Sequence, residues 1–497
     1  MTAIARRPAR TLGAILAATA LALGGVLIAP LSAQAATLTV TSSADNGAGS
    51  LRAVVGTSMT GDVIVFDPSV TSIALATSVT MAKGVTIDGG GTVTITRANK
   101  FGFVQLLAVP DSPNQDYVIA GLAVEGIAGS NGQGIYATID SFGVRNITLS
   151  NVIVSGETAG YGAGFGLFGA SGDVLIEGST FQGNTSTSTG VADGGGAVDL
   201  DQHGGSVTVR NSVFASNKSA NTGGGLRLRN GGFVGSLTVE DSTFDSNESA
   251  GAGGGLFVES IGSADSVLIS SSTFSGNSIG DGATGVSVSA PNIMGRVDIV
   301  NSTFDEPGLG SFPIAGYVNG GVLDIRNSTI AGNGAVTIEA VTGPDGAAVI
   351  TSSILSGGAK PAVVVGGVGS VLVSYSILSS ALDAAITDDG GNQFSVADPK
   401  LGALGNNGGP TFTRLPLAGS PAINRGLLVD NLPFDQRGAG FPRVIAGRID
   451  VGAVETSYAL AATGQTVNIL IPIIGGVLLL GGVAAIVYTQ RRKRRPL

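Results

Sequence analysis

From Asp173 to Ser380 one short pattern recurs, and it limits what this chain can become more than any other feature. Its clearest copies are DVLIEGSTFQGN at Asp173, SVTVRNSVFASN at Ser206, SLTVEDSTFDSN at Ser236 and SVLISSSTFSGN at Ser266. RVDIVNSTFDEP at Arg296 and VLDIRNSTIAGN at Val322 are looser copies. The apolar marker of the pattern falls at Phe181, Phe214, Phe244, Phe274, Phe304, Ile330, Ile354 and Ile377, with spacings of 33, 30, 30, 30, 26, 24 and 23 residues. A constant pattern with a remainder of changing length is a repeated structural unit joined by loops of different size. Inside each copy the apolar residues sit two apart (Val207 and Val209, Leu237 and Val239, Val267 and Ile269), which is the period of a strand. Such units, rich in Gly, Ser, Thr and Val, stack so that each strand pairs with its equivalent one turn away. The expected fold is all-β: a parallel β-helix with coils about 4.8 Å apart.

In that arrangement Phe181, Phe214, Phe244 and Phe274 form an inward aromatic ladder. Three residues after each marker come Asn184, Asn217, Asn247, Asn277 and, after a gap, Asn333. Asn repeated at one corner hydrogen-bonds the backbone of its turn and tolerates left-handed conformation, so these residues are expected to be structural. FQGN, FASN, FDSN and FSGN, alternating with GGAV at Gly195 and GGGL at Gly223 and Gly253, resemble the FxxN and GGA(I/L/V) repeats of chlamydial polymorphic outer-membrane proteins. That resemblance implies a β-helical surface protein, with adhesion among its roles. The solenoid itself resembles the right-handed, single-stranded, pectate-lyase-like kind, with about 12 coils expected.

The ends of the chain carry different signals. Residues 1–35 combine Arg6, Arg7 and Arg10 with an apolar run from Leu12 to Ile28 and a small-x-small site at Ala33-Gln34-Ala35, the organisation of a secretory signal peptide cut between Ala35 and Ala36. Removing its three basic residues and the five at the far C-terminus leaves 18 basic against 35 acidic residues, a net charge of −17. So acidic a body is repelled by phosphate backbones, which argues against a nucleic-acid partner. With no Cys in 497 residues there are no disulfides and no Cys-based metal site. Residues 36–62 are expected to form the N-terminal cap, with Ser50 as N-cap of one short helix from Leu51 to Gly56 or a little beyond, and Leu51 to Thr60 covering the first coil. Residues 63–395 are then the β-helix, its early rungs at 63–66, 73–75, 85–87, 118–124 and 147–154.

One constellation invites a catalytic reading: Asp199, Asp201 and His203 in GGAVDLDQHGG. Two carboxylates two apart on a strand share a face, as acid/base chemistry on glycosides needs. Alignment of the coils sets Asp199 beside Arg227 and Asp201 beside Arg229, followed by Glu259, so the same residues also read as an alternating charge ladder up an outer face. Polygalacturonase-like β-helices carry NTD, paired Asp, GHG and RIK motifs, and that set is absent. Trp is absent too, leaving Tyr136, Tyr161 and Tyr317 as sugar-stacking rings. The expectation is a chain with no identified catalytic residue and no cofactor, the alternative being a wall-bound polysaccharide lyase or hydrolase working on the outer face.

Residues 396–455 hold NNGGPT, GSPAI, DQRG and DVGAVE, and resemble the choice-of-anchor module, type Q, of secreted bacterial β-helix proteins. The module is expected to cover the last coil, with Asp435, Arg437, Asp450 and Glu455 in structural roles. Residues 456–466 then contain Leu460-Ala461-Ala462-Thr463-Gly464, followed by 22 apolar residues over 467–488 and a basic tail over 489–497. As a helix the apolar run spans about 33 Å, enough for a bilayer, and the basic cluster stays cytoplasmic. Pentapeptide, span and basic tail in this order resemble a sortase sorting signal, in the Leu-Ala-x-Thr-Gly form associated with actinobacterial sortases. The resemblance implies a Gram-positive, actinobacterial cell-wall protein whose partners are a sortase and peptidoglycan, with wall glycans as further partners. Thr463 would be the acyl donor.

Overall fold

The structure, a computed structural model, describes residues 35–457 apart from 98–101, 108–115, 127–131, 140–145, 170–171, 191–192, 203–204, 231–234, 260–265, 281–282, 291–294, 307–311, 319–320, 333–337, 343–345, 358–361, 366–368 and 429–430. Most of the signal peptide, the sorting motif, the apolar run 467–488, the basic tail, His203 and Asn333 lie outside the described residues. Among the described residues no helix is long and apolar enough to cross a membrane.

The chain winds as a right-handed parallel β-helix, the hand that parallel crossovers take. In the coil 207–230, a first strand (Val207–Arg210) and a second (Val213–Ala215) belong to one 24-stranded sheet, and a third strand (Leu226–Asn230) belongs to an 11-stranded sheet. A two-residue corner strand, Lys218–Ser219, joins a 5-stranded ladder between them. Phe181, Phe214, Phe244, Phe274 and Phe304 pair in register and are fully buried. Their rings stack at centroid distances of 5.2, 4.6, 4.7 and 5.0 Å. Ile330 continues the column, but Leu355 and Leu378 follow it instead of the expected Ile354 and Ile377. Those two isoleucines take the outward position held by Thr303 and Thr329 in earlier coils, and there they pack on Ala422 and Val451. The strand kept its Ser anchor, and the apolar pair Ile-Leu replaced Thr-Ile where a second apolar surface had to be met.

Two polar ladders hold the corners. Ser179, Ser212, Ser242, Ser272, Ser302, Ser328, Ser353 and Ser376 are all buried. Each backbone N–H from Ser179 to Ser353 donates to the hydroxyl of the next serine, at 3.1–3.3 Å. The residue before each serine turns the corner with positive φ, and it is glycine or a short polar residue (Gly178, Asn211, Asp241, Ser271, Asn301, Asn327, Ser352) in every coil but the last, where it is Tyr375. Asn184, Asn217, Asn247 and Asn277 make the second ladder. Each Nδ2 donates back to a carbonyl of the preceding coil and forward to the next coil's acceptor. The Asn side chains therefore tie coil to coil instead of bracing their own turns. The left-handed residue is the one before them (Gly183, Ser216, Ser246, Gly276). The ladder ends on Glu306, whose carboxylate accepts from Asn277 N and Nδ2 at 2.7 and 2.9 Å.

At the N-terminus the stack begins one rung earlier than expected, with Thr37–Val40 paired to Val63–Phe66. The helix Leu51–Thr57 starts at Ser50, whose hydroxyl accepts from Ala53 N, and buries Leu51 and Val55 against the open end. The C-terminal module does not sit only over the last coil. It runs back along the flank of the second-strand face, with contacts from Ser352 to Ser271. Gln436 is its pin: Nε2 donates to Ser272 O, Thr273 Oγ1 and Thr411 Oγ1, and Oε1 accepts from Thr303 Oγ1.

Candidate functional site

The outer face of the third strand carries the constellation that the sequence marked. Asp199 pairs with Arg227 and Asp201 with Arg229 in the expected register. The exposure differs from expectation, because Asp199 and Arg227 are both completely buried. The reason lies in the Gly-rich turns, which fold back over the strands. A Cβ on Gly194 would lie 2.4 Å from the Arg227 side chain, and one on Gly195, with φ +60°, would lie 2.1 Å from Val198 O. Only glycine lets the chain close so tightly over this pair.

Under that cover Arg227 Nη1 donates to Asp199 at 2.9 and 3.3 Å, and Glu259 approaches Arg227 at 3.5 Å and Arg229 at 3.7 Å. Burial pushes the Asp199 carboxyl up to about 6 against the opposing pull of Arg227. Asp201 is half-buried on the same strand. A carboxylate held in a closed ion pair cannot reach a glycosidic oxygen, so Asp199 holds the coils together. Among the described residues no group of three or more His, Cys, Asp or Glu gathers to hold a metal ion.

Two of the three tyrosines do converge. Tyr161 meets Phe168 edge-on at 4.5 Å, and Tyr136 meets it at 6.2 Å. Burial, and then Tyr136, raise the Tyr161 phenol above its ordinary value. Phe168, absent from the sequence reading, bridges them because its strand Phe165–Gly169 lies next to Ile135–Ile139. The side chain of Tyr317 lies outside the described residues.

The C-terminal module holds a second charged centre. Arg443 is buried at 3.4 Å from Glu455, and Arg437 is bonded to Asp435 at 2.6 Å and stacked 4.0 Å over the Phe441 ring. Glu455 accepts from Asp450 N through both oxygens, and burial lifts its carboxyl to about 8. Asp450 in turn holds the end of the body: Thr456 N and Oγ1 donate to its carboxylate at 2.8 and 2.7 Å. All four residues read as structural are thus occupied inside the module.

At the other terminus Ala36 N donates to Asp62 Oδ1 at 2.9 Å. Backbone donors from Met59 and then Ala36 hold the Asp62 carboxyl below its ordinary value.

Residues 81–261 match the family model described as right handed beta helix region. Among solved structures, the chain is similar to the pectate lyase Pel9A at 13% identity and a TM-score of 0.40, covering 84% of this chain and 96% of that one. No curated protein matches it.

Proposed function

We propose that the protein is an exported β-helix scaffold, fixed covalently to the cell wall through Thr463 and lying close against it. In this reading a sortase cysteine attacks the Thr463 carbonyl to form a thioester and release Gly464 onward. An amine of the peptidoglycan then displaces the thiol to form an amide. The observation that carries the reading is the exit of the chain. Thr456 is held by Asp450, and only Ser457, Tyr458 and Ala459 separate it from the pentapeptide, too few residues for a stalk. At the other end, cleavage after Ala35 would turn Ala36 N into an ammonium already bonded to Asp62.

The exit also sets the reach. Ala453 N donates to Thr329 Oγ1 and Gly452 N to Ser352 O, so the tether leaves the flank near these coils and not the tip of the stack. Ten strand pairings separate Val322–Arg326, the first strand of the Thr329 coil, from the first strand of the stack, about 48 Å of solenoid beyond the tether. The few residues before the pentapeptide add about 14 Å at full extension. This favours a scaffold among wall polymers over an adhesin reaching distant receptors. The enzymatic alternative loses its best candidate, because Asp199 is closed in an ion pair.

Thr463→Ala tests the attachment. The wild-type protein should resist boiling detergent until the wall is digested, whereas the variant should be extracted directly with the membrane fraction. A variant that still needs wall digestion for release would refute the reading.

A further inference from the structure

Where the C-terminal module lies along the solenoid it leaves a groove of about 870 Å³, within the size range of ligand sites. Its floor is the outward column of the second strands, from Ala215 through Asp245, Ser275, Asp305 and Ala331 to Ser356. Five inter-coil steps make that column about 24 Å long, a length suited to an extended oligomer. Its wall is the module segment bearing Asp398, Phe412 and Arg414.

The chemistry of the lining narrows the occupant. Phe412, a residue 51% exposed, lines the groove, while its carbonyl is fixed by Thr273 Oγ1 at 2.6 Å. A rigidly mounted, half-open aromatic ring is a platform for the apolar face of a sugar. Asp245 is preset beside it, accepting from Ser275 Oγ at 2.6 Å and from Ser246 Oγ at 3.2 Å, with acceptor capacity left for ligand hydroxyls. Arg414 is spent on Asp305, bonded to both oxygens at 2.8 and 2.9 Å. With Asp245, Asp305 and Asp398 against one arginine the lining is net negative, which repels uronate, sulfate and phosphate polymers. A peptide strand cannot add to the floor either. Thr243–Asp245 is already paired on both sides, by Val213–Ala215 and Thr273–Ser275, so no edge is open.

We propose that this groove binds a neutral linear polysaccharide, its rings stacked on Phe412 and its hydroxyls held by Asp245 and Ser275. The assignment rests on the scaffold reading only for where such a glycan would be met. The probes are cellohexaose, chitohexaose and mannohexaose, with hexagalacturonate as the anionic comparison, titrated calorimetrically into the purified full-length chain. At least one neutral probe should bind and hexagalacturonate should not. Phe412→Ala and Asp245→Asn should each weaken binding roughly tenfold or more with little change in melting, since the alanine variant keeps the carbonyl that Thr273 and Gln436 hold. Absence of binding to every neutral probe, preference for hexagalacturonate, or equal affinity in a well-folded Phe412→Ala protein would each overturn the assignment. None of these outcomes alters wall attachment, and Thr463→Ala should leave the affinity unchanged, so the two readings fail separately.

Discussion

Glu306 ends the Asn ladder, and it does so as an acid in a buried place. Burial pushes its carboxyl from 4.5 to about 8, outweighing the two hydrogen bonds from Asn277, with Asp305 and Asp245 adding to the rise. The sign follows directly. The folded chain binds this proton more tightly than the unfolded chain, so unfolding releases it, and stability falls as pH rises from about 4.5 to about 8. A tenfold change in proton affinity is worth about 1.4 kcal/mol, so the loss across that window is on the order of 5 kcal/mol. Glu306→Gln keeps an oxygen for Asn277 and removes the ionisation. Glu455 shifts in the same direction, so a melting curve alone would mix the two groups. Hydrogen exchange of residues 266–306, corrected for intrinsic rates, isolates the local effect, because a solenoid loosens near the perturbed coil first. Wild-type protection there should fall between pH 5 and pH 8.5, and the variant's should hold. At pH 5 the two should be similar or the wild type slightly better. Parallel pH dependence in both proteins would refute the reasoning.

Phe244 lies between rings at 4.6 and 4.7 Å and is fully buried. Phe244→Ala should therefore cost about 3–5 kcal/mol, concentrated in the neighbouring coils, and protection lost evenly along the stack would contradict one-dimensional coupling. Antibody raised against residues 172–381 should label intact cells poorly and lightly wall-digested cells well. Strong labelling of untreated cells would move the adhesin reading ahead of the scaffold.

Much of the fold was legible because the coil repeats itself. The phenylalanine column, the charge register Asp199 to Arg227 and the Ser50 cap each rest on residues a fixed distance apart, and the structure keeps those distances. The serine ladder was visible in the same copies, but its hydroxyls show their use only when the next coil is in place. Glu306 escaped because it stands two residues after the marker, in the place of Ser246 and Gly276, and reaches the Asn position only through its longer side chain. Burial of Asp199 depends on Gly-rich turns closing over a strand, which no periodicity reports. The flank docking of the module was the least legible, since Gln436 finds Ser272 across 164 residues of chain. The same docking accounts for the shift at Ile354: in that coil the residue after the serine meets the module, and Leu355 fills the core column.

The central claim is covalent display through Thr463, and mass spectrometry of wall fragments tests it most directly. Native walls digested with a muramidase and then with protease should yield a C-terminal peptide that ends at Thr463 and carries peptidoglycan stem residues in amide linkage. Native wall peptides reading through Gly464 into Gln465 and beyond, with no cross-linked species, would contradict it.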